Sequence, residues 1–286
     1  MKIKESFGSR LFDAVNIFLM IVLVIVMVYP LVYVFSASIS DNAMVMSGRV
    51  VLWPKAVTLA AYKRLVGNPD LWISYWNTIR YTAVQTFLSL AVTSAMAYPL
   101  AKRWLPGRRL ILLLAAFTLM FGGGMIPTFL VVQKLGLLNT IWAIVLPSLV
   151  STWYLFIMRT FFEALPEELE DAATMDGCGM MQVFLRIVLP LSLPVLVSIG
   201  LFTAVNQWNS FFDALLYLND RNMYPLQIML RNIIIAGSNV QGEGNTDYIE
   251  TLKYAMITIA TVPILCVYPF IQKYFVQGAM IGGIKG

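Results

Sequence analysis

Residues 14–35 read Ala14-Val-Asn-Ile-Phe-Leu-Met-Ile-Val-Leu-Val-Ile-Val-Met-Val-Tyr-Pro-Leu-Val-Tyr-Val-Phe35, and no residue among them is charged. An α-helix rises about 1.5 Å per residue and a bilayer's hydrocarbon core is about 30 Å thick, so about 20 apolar residues suffice to cross it. The run is long enough. It is also longer than the roughly 7–15 apolar residues of a secretory signal, which makes it a retained first helix, with Lys2, Lys4 and Arg10 holding the N-terminus in the cytoplasm.

Outward from this stretch, comparable uncharged runs occupy residues 81–101, 110–121, 141–158, 187–205 and 254–272. An unsatisfied backbone amide in hydrocarbon costs several kcal/mol, so such runs become helices, or barrel strands when short and alternating; these are long and do not alternate. The expectation is an all-α membrane protein with about six transmembrane helices and both termini cytoplasmic. Composition agrees: 59% of residues are hydrophobic and 12% charged, against about a quarter charged in soluble domains. No segment reads as a separate soluble domain, so residues 1–286 are taken as a single transmembrane domain.

The third and fourth runs are hard to delimit because only Lys134 interrupts the apolar residues between 110 and 158. Gly122, Gly123, Gly124 and Pro127 disfavour a continuous helix, so residues 125–140 are expected to form a turn and a short helix at the outer face. Lys102, Arg103, Arg108 and Arg109 crowd the connection between the second and third helices, which places that connection, and residues 159–186, on the cytoplasmic side. Residues 36–80 and 206–253 then lie outside. Pro190 and Pro194 near the fifth run are read as kinks.

Several function classes drop out early. There is no histidine, the commonest general base and metal ligand, and no G-x-x-x-x-G-K-[ST] phosphate loop. Cys178 and Cys266 fall in a charged loop and an apolar run, a poor disulfide pair. The net charge of +5 is scattered between apolar runs without the interleaved aromatics of a nucleic-acid surface, so no nucleic-acid partner is expected.

The most informative connection reads Phe161-Phe-Glu-Ala-Leu-Pro-Glu-Glu-Leu-Glu-Asp-Ala-Ala-Thr-Met-Asp-Gly-Cys-Gly179. Pro166 suits a first helical position, Glu167 and Glu168 suit the positive end of a helix dipole, and Gly177 suits a left-handed terminator. A helix of about three turns follows, with Leu169, Ala172, Ala173 and Asp176 on one side. Periodicity alone leaves two readings open, a solvated amphipathic loop and a docking face of small side chains.

Here the sequence resembles a known family. Asp171-Ala172-Ala173, Gly177, Ile187 and Leu189-Pro190 keep the spacing of the cytoplasmic "EAA…G…I-x-LP" signature of binding-protein-dependent ABC importer permeases, with Asp171 where the pattern has glutamate. Phe121-Gly-Gly-Gly-Met-Ile-Pro-Thr128, Lys134-Leu-Gly-Leu-Leu-Asn-Thr-Ile-Trp142, residues 207–217 and Tyr224-Pro-Leu-Gln227 are similar to second-subunit carbohydrate permeases, the glycine stretch most to the branch handling oligosaccharides or polysaccharide fragments. Residues 272–286 are similar to the C-terminus of the maltose-type second permease. The resemblance implies a type I ABC importer permease fold in the bacterial cytoplasmic membrane. It implies a heterodimer with a second permease subunit, two ABC ATPase subunits that bind ATP and Mg, and an extracellular or periplasmic solute-binding protein delivering an oligosaccharide. No cofactor is implied in this chain and no catalysis. Within a coupling segment 161–186, it assigns Glu170, Asp171, Ala172, Ala173, Asp176 and Gly177 to the ATPase contact, with the tail 278–286 reaching the same partner.

Asn206, Gln207, Trp208, Asn209 and Asp213 cluster where the fifth run ends and are candidates for the substrate pathway, since amides and carboxylates bond sugar hydroxyls and aromatic faces cover sugar rings. The bland alternative is a membrane-interface tryptophan beside ordinary loop polars. Asn16, Asn77, Gln85 and Thr86 are further polar residues in or near the runs, each equally able to bond a neighbouring helix. Arg80, Arg221 and Arg231 suit an acidic saccharide, though Asp213, Asp220, Glu243 and Glu250 offset them. A secondary transporter or channel for a small polar solute is the competing function; no charge sits mid-run to serve it. An intramembrane enzyme is remote.

Overall fold

The computed structural model describes residues 7–239 and 249–283, so the expectations resting on Lys2, Lys4, Glu243 and residues 284–286 fall outside it. No strand occurs among the described residues. The chain divides into two compact units, residues 1–69 with 230–262, and residues 70–229 with 263–286.

In the first unit, α1 (Phe7–Ser38) is apolar on every side and is uncovered by its own chain over its central length. Such a helix finds its apolar environment in lipid or in another chain. Its C-terminal end is packed: Ala37 is buried with Val45 and Val50, and Tyr33 meets Tyr254 edge-on at 5.6 Å. Asp41 caps α2 (Asn42–Met46) by accepting from the Ala43 amide at 3.0 Å. Thr251, near the start of α15 (Ile249–Gly283), donates from its amide to Asn42 Oδ1 at 3.2 Å. A short α3 (Ala60–Val66) completes this unit's N-terminal part.

The second unit begins with α4 (Pro69–Ala101), which starts twelve residues before the expected 81. Pro69 and Asp70 are ordinary helix-start residues, but the polar first turns hid them from a search for uncharged runs. After α4, α5 (Arg108–Met120) ends at the triple glycine, and α6 (Met125–Lys134) leaves at 116°, so the short helix expected after Gly124 is present. Gly124 sits at φ +83°, a conformation that side-chain-bearing residues rarely adopt.

Two expected spans are corrected. The 141–158 run is not one helix: α7 (Ile141–Val145) stops before Pro147, and α8 (Thr152–Glu163) begins after a turn. The 187–205 run is not merely kinked. It is cut at Ser192 between α10 (Met180–Val183) with its continuation to Leu191, and α12 (Leu193–Asn209), the two parts bent by 77°. Pro190 has no N–H for the Arg186 carbonyl, and the ladder widens into a π segment, Phe184–Val188, in which the Leu189 amide reaches the Phe184 carbonyl. A single turn, α11 (Leu189–Leu191), joins the π segment to the break.

Among the described residues, three helices therefore have spanning length and composition outright, and five spans result when each bent pair counts as one, against about six expected. The difference is the broken 141–158 run. Helix α8 instead lies antiparallel to α5, tied at one end by the Arg108–Glu163 ion pair and at the other by the Thr118 and Thr152 hydroxyls at 3.0 Å. Helices α13 (Phe212–Tyr217) and α14 (Leu226–Asn239) follow α12.

Candidate functional site

The acidic connection 161–179 folds around a helix, α9 (Glu167–Met175), held at both ends by local chemistry. Pro166 is the N-cap rather than the first helical residue, with extended backbone, and Glu167, Glu168 and Glu170 occupy the positive first turn. At the other end Gly177 takes φ +84°. Its amide donates to Thr174 O at 3.0 Å and the Cys178 amide to Ala173 O at 2.9 Å, the double bond of a Schellman ending.

One edge of α9 is tied to the rest of the second unit. Ala173 is buried in a cluster with Tyr98, Phe162, Val183 and Phe184. The Glu170 carboxylate receives the Tyr98 hydroxyl at 3.1 Å and pairs with Lys102, whose ammonium also lies 5.0 Å from the Tyr98 ring centre. Tyr98 in turn stacks on Phe184 of the π segment at 5.0 Å. Helix α9 is thus joined to the end of α4 and to the broken helix that follows it.

The opposite face is open. Leu169, Asp171, Ala172, Met175 and Asp176 are exposed, Met175 at 85%. The four residues expected on one side therefore divide: Leu169, Ala172 and Asp176 face outward, and Ala173 packs inward. Of the six residues assigned to this segment, Asp171, Ala172, Asp176 and Gly177 are exposed and Glu170 and Ala173 are turned to the chain's own core.

A second feature is a polar cleft of about 280 Å³ between α4, α8, α12 and α13. Asn206, Gln207 and Asp213 line it, as the sequence suggested. Trp208 does not: it is buried against Tyr75, ring centres 5.9 Å apart, so it is a packing residue rather than an interface anchor. Asn209 is exposed and donates to Val205 O at 2.8 Å. Among the described residues Asp213 is the one charged residue lining the cleft, and burial raises its carboxyl above the ordinary 3.8.

On the other wall the sequence pointed to Gln85, as a residue equally able to bond a neighbouring helix, and missed Ser148 and Tyr154. Gln85, Ser148 and Tyr154 line the cleft; Gln85 donates to Ser148 O at 2.9 Å while its Oε1, also buried, has no protein donor. Asn206 donates to the Tyr154 hydroxyl at 3.2 Å, and Tyr154 stacks on Phe202. The overlooked signal is spacing: Thr82, Gln85, Thr86, Ser89 and Thr93 recur at helical intervals inside an apolar run, marking one polar face of α4. Asn77 has a different task, donating to Asn222 O at 2.7 Å and Tyr224 O at 3.2 Å to hold the 221–225 turn. Asn16 is exposed on α1.

A chain of apolar helices, whole and broken, with a polar cleft among α4, α8, α12 and α13 and a short acidic helix carried at the end of α4, defines a membrane transport permease. Residues 3–280 match the family described as binding-protein-dependent transport system inner membrane component, and the chain belongs to that family. It is 40% identical over 284 residues to the polygalacturonan/rhamnogalacturonan transport system permease protein YtcP of Bacillus subtilis, covering 97% of this chain and 99% of that one. It is 44% identical to Protein LplC of the same organism, covering 98% and 96%. Among solved structures it is similar to a chain of a bacterial ABC transporter involved in the import of the acidic polysaccharide alginate, with TM-score 0.88 and 34% identity over 96% of this chain and 100% of that one.

The chain is therefore a permease subunit of a binding-protein-dependent ABC importer with the type I fold, an inner-membrane transport component rather than a catalytic enzyme. Such a permease works with a partner permease, an ATPase and a binding protein. A secondary transporter or channel is not favoured.

Proposed function

We propose that this chain is one half of a permease heterodimer that carries oligosaccharides into the cytoplasm, driven by ATP hydrolysed with Mg on two partner ATPase subunits. Helix α9 is its coupling helix. The observation that carries this reading is the two-sidedness of α9: Asp171, Ala172, Met175 and Asp176 are open to a partner, while Glu170 and Ala173 fasten the helix to α4 and the π segment. A push on the open face is delivered to the spans because the other face is bonded to them. Glu170, assigned by resemblance to the ATPase contact, acts in this reading as the fastening.

A cytoplasmic location for α9 is supported by the cations at 102, 103, 108 and 109, to which it is tied through Lys102; both termini share that side when the broken stretch 141–163 counts as the sixth crossing. The cleft holding Gln85, Asn206, Gln207 and Asp213 forms part of the pathway, its amides bonding sugar hydroxyls and Tyr154 offering a ring face. Two relatives are named for polyuronides, which supports uronate-containing oligomers. Among the described residues no lysine or arginine lines the cleft, so recognition there runs through hydroxyls rather than through the acid groups.

The test is a cross-link. In a background with Cys178 and Cys266 replaced, Met175→Cys in the assembled complex should join the ATPase subunit, and Ala173→Cys should not. Cross-linking to neither the ATPase nor any cytoplasmic partner in inverted vesicles sinks the coupling assignment.

A further inference from the structure

Helices α5 and α8 leave a groove of about 680 Å³ at the end where α5 begins. Arg103, Arg108, Arg109 and Arg159 line it. No carboxylate is among the described lining residues; Glu163, beside them, is shared by Arg108 and Arg159. These two guanidiniums are held in place, since each also donates to the Leu100 carbonyl, at 2.9 and 3.2 Å. Arg103 and Arg109 have no hydrogen-bond or ion-pair partner among the described residues. Four cations thus face one anion.

The rest of the groove is apolar, with Leu113, Ala116 and Phe156 in its wall. It opens onto a face of α5 where Leu110, Leu113 and Leu114 are each about 60% exposed, and Trp104 in the adjoining loop is 63% exposed. Arginines at a helix start, an exposed tryptophan beside them and exposed leucines one turn further on mark the boundary between headgroup and hydrocarbon. A soluble anion has use for the arginines but none for the apolar wall. A phospholipid uses both, and the charge excess selects an anionic one.

We propose that this groove is a binding site for one anionic phospholipid, its phosphate against Arg103 and Arg109 and an acyl chain along Leu113, Ala116 and Phe156. The lipid lies against the α4–α5 connection that also carries Lys102, and so steadies the end of α4 to which α9 is tied.

The permease complex, purified in detergent and titrated with phosphatidylglycerol or phosphatidylcholine, should retain phosphatidylglycerol preferentially in native mass spectrometry. Each surface arginine contributes about five-fold to binding an anionic headgroup, so Arg103→Gln with Arg109→Gln should weaken retention roughly 25-fold. Both side chains are exposed and unpaired, so folding should be unaffected. The exposed pair Arg49→Gln with Arg64→Gln serves as control and should leave retention unchanged. Equal retention of the two lipids, or an equal loss in the control pair, overturns the proposal. Displacement by millimolar inorganic phosphate assigns the cations to a soluble anion, and a cross-link from Arg109→Cys to the second permease assigns the groove to a protein; either result also overturns it.

Discussion

Tyr98 and Glu170 lie 72 residues apart in the chain and are joined by a hydrogen bond of 3.1 Å from the tyrosine hydroxyl to the carboxylate. The bond crosses from the last turns of α4 to the first turn of α9, and Lys102 closes the same carboxylate from one helical turn further along. Both ionic partners are less than a fifth exposed, so salt screens them less than a surface pair. Helix α9 buries little apolar surface of its own beyond Ala173. Its position therefore depends heavily on these polar bonds.

Tyr98→Phe keeps the stack on Phe184 and removes only the hydroxyl. A hydrogen bond to a charged group is worth about 1.5–3 kcal/mol. Thermal unfolding of the complex should shift down modestly, and the number of ATP hydrolysed per solute imported should rise. Glu170→Gln should produce a larger rise, and the double variant less than the sum, because both changes break one bond. Full additivity in that cycle means the two residues do not act together.

Gly177→Ala tests the end of the helix. An added Cβ meets nothing within 4 Å, so its cost is conformational alone, about 1–2 kcal/mol for a left-handed residue. Membrane insertion and pairing with the second permease should survive, while uptake per ATP falls. Gly177→Pro, whose φ is locked near −65° against the observed +84°, should be more damaging. Wild-type coupling in the proline variant removes the coupling role from this helix.

Asp213 supplies a prediction in pH. Burial raises its carboxyl above 3.8, so the folded chain holds a proton that the unfolded chain releases. The associated stability is fully present below about pH 3.8 and is lost as pH rises through the folded value. Asp213→Asn, which mimics the protonated form, should match the wild type in acid and become the more stable of the two as pH rises toward neutrality. Thermal unfolding of both proteins across that range measures it. A wild type that gains on the variant with rising pH reverses the sign and rules out burial as the dominant effect.

The sequence made some of this legible and hid the rest for identifiable reasons. Residues 14–35 and 254–272 lie inside helices α1 and α15 because an uncharged run of spanning length has no other stable form in lipid. Pro166 and Gly177 bracket α9 because each has a backbone preference that acts locally. Breaks inside apolar runs were not legible in the same way. Leu146-Pro147-Ser148-Leu149 carries no charge, so hydropathy passes straight over it, yet the helix stops there. What permits the stop is a partner from elsewhere in the chain: Gln85 on α4 bonds the Ser148 carbonyl that a continuous helix would have served. The inward turn of Glu170 was hidden for the same reason, since its partners Tyr98 and Lys102 belong to another helix.

Gln85 therefore has two duties that substitution can separate. Its Nε2 donates to Ser148 O at 2.9 Å and to Ser148 Oγ at 3.2 Å, while its buried Oε1 is free to accept from a hydroxyl in the cleft. Gln85→Leu strips both functions and leaves a buried carbonyl unsatisfied, a cost of about 1–3 kcal/mol, and it should also raise the solute concentration for half-maximal uptake. Ser148→Ala keeps the carbonyl bond and removes the hydroxyl's contact with Gln85 and its donation to Ile144 O at 3.2 Å, so it should change stability less and leave half-saturation near the wild-type value. If Gln85→Leu lowers stability but does not move half-saturation, the residue holds the break between α7 and α8 and nothing more. If it moves half-saturation further than Ser148→Ala at matched stability, Oε1 is a solute contact, and the polar face of α4 lines the route the solute takes.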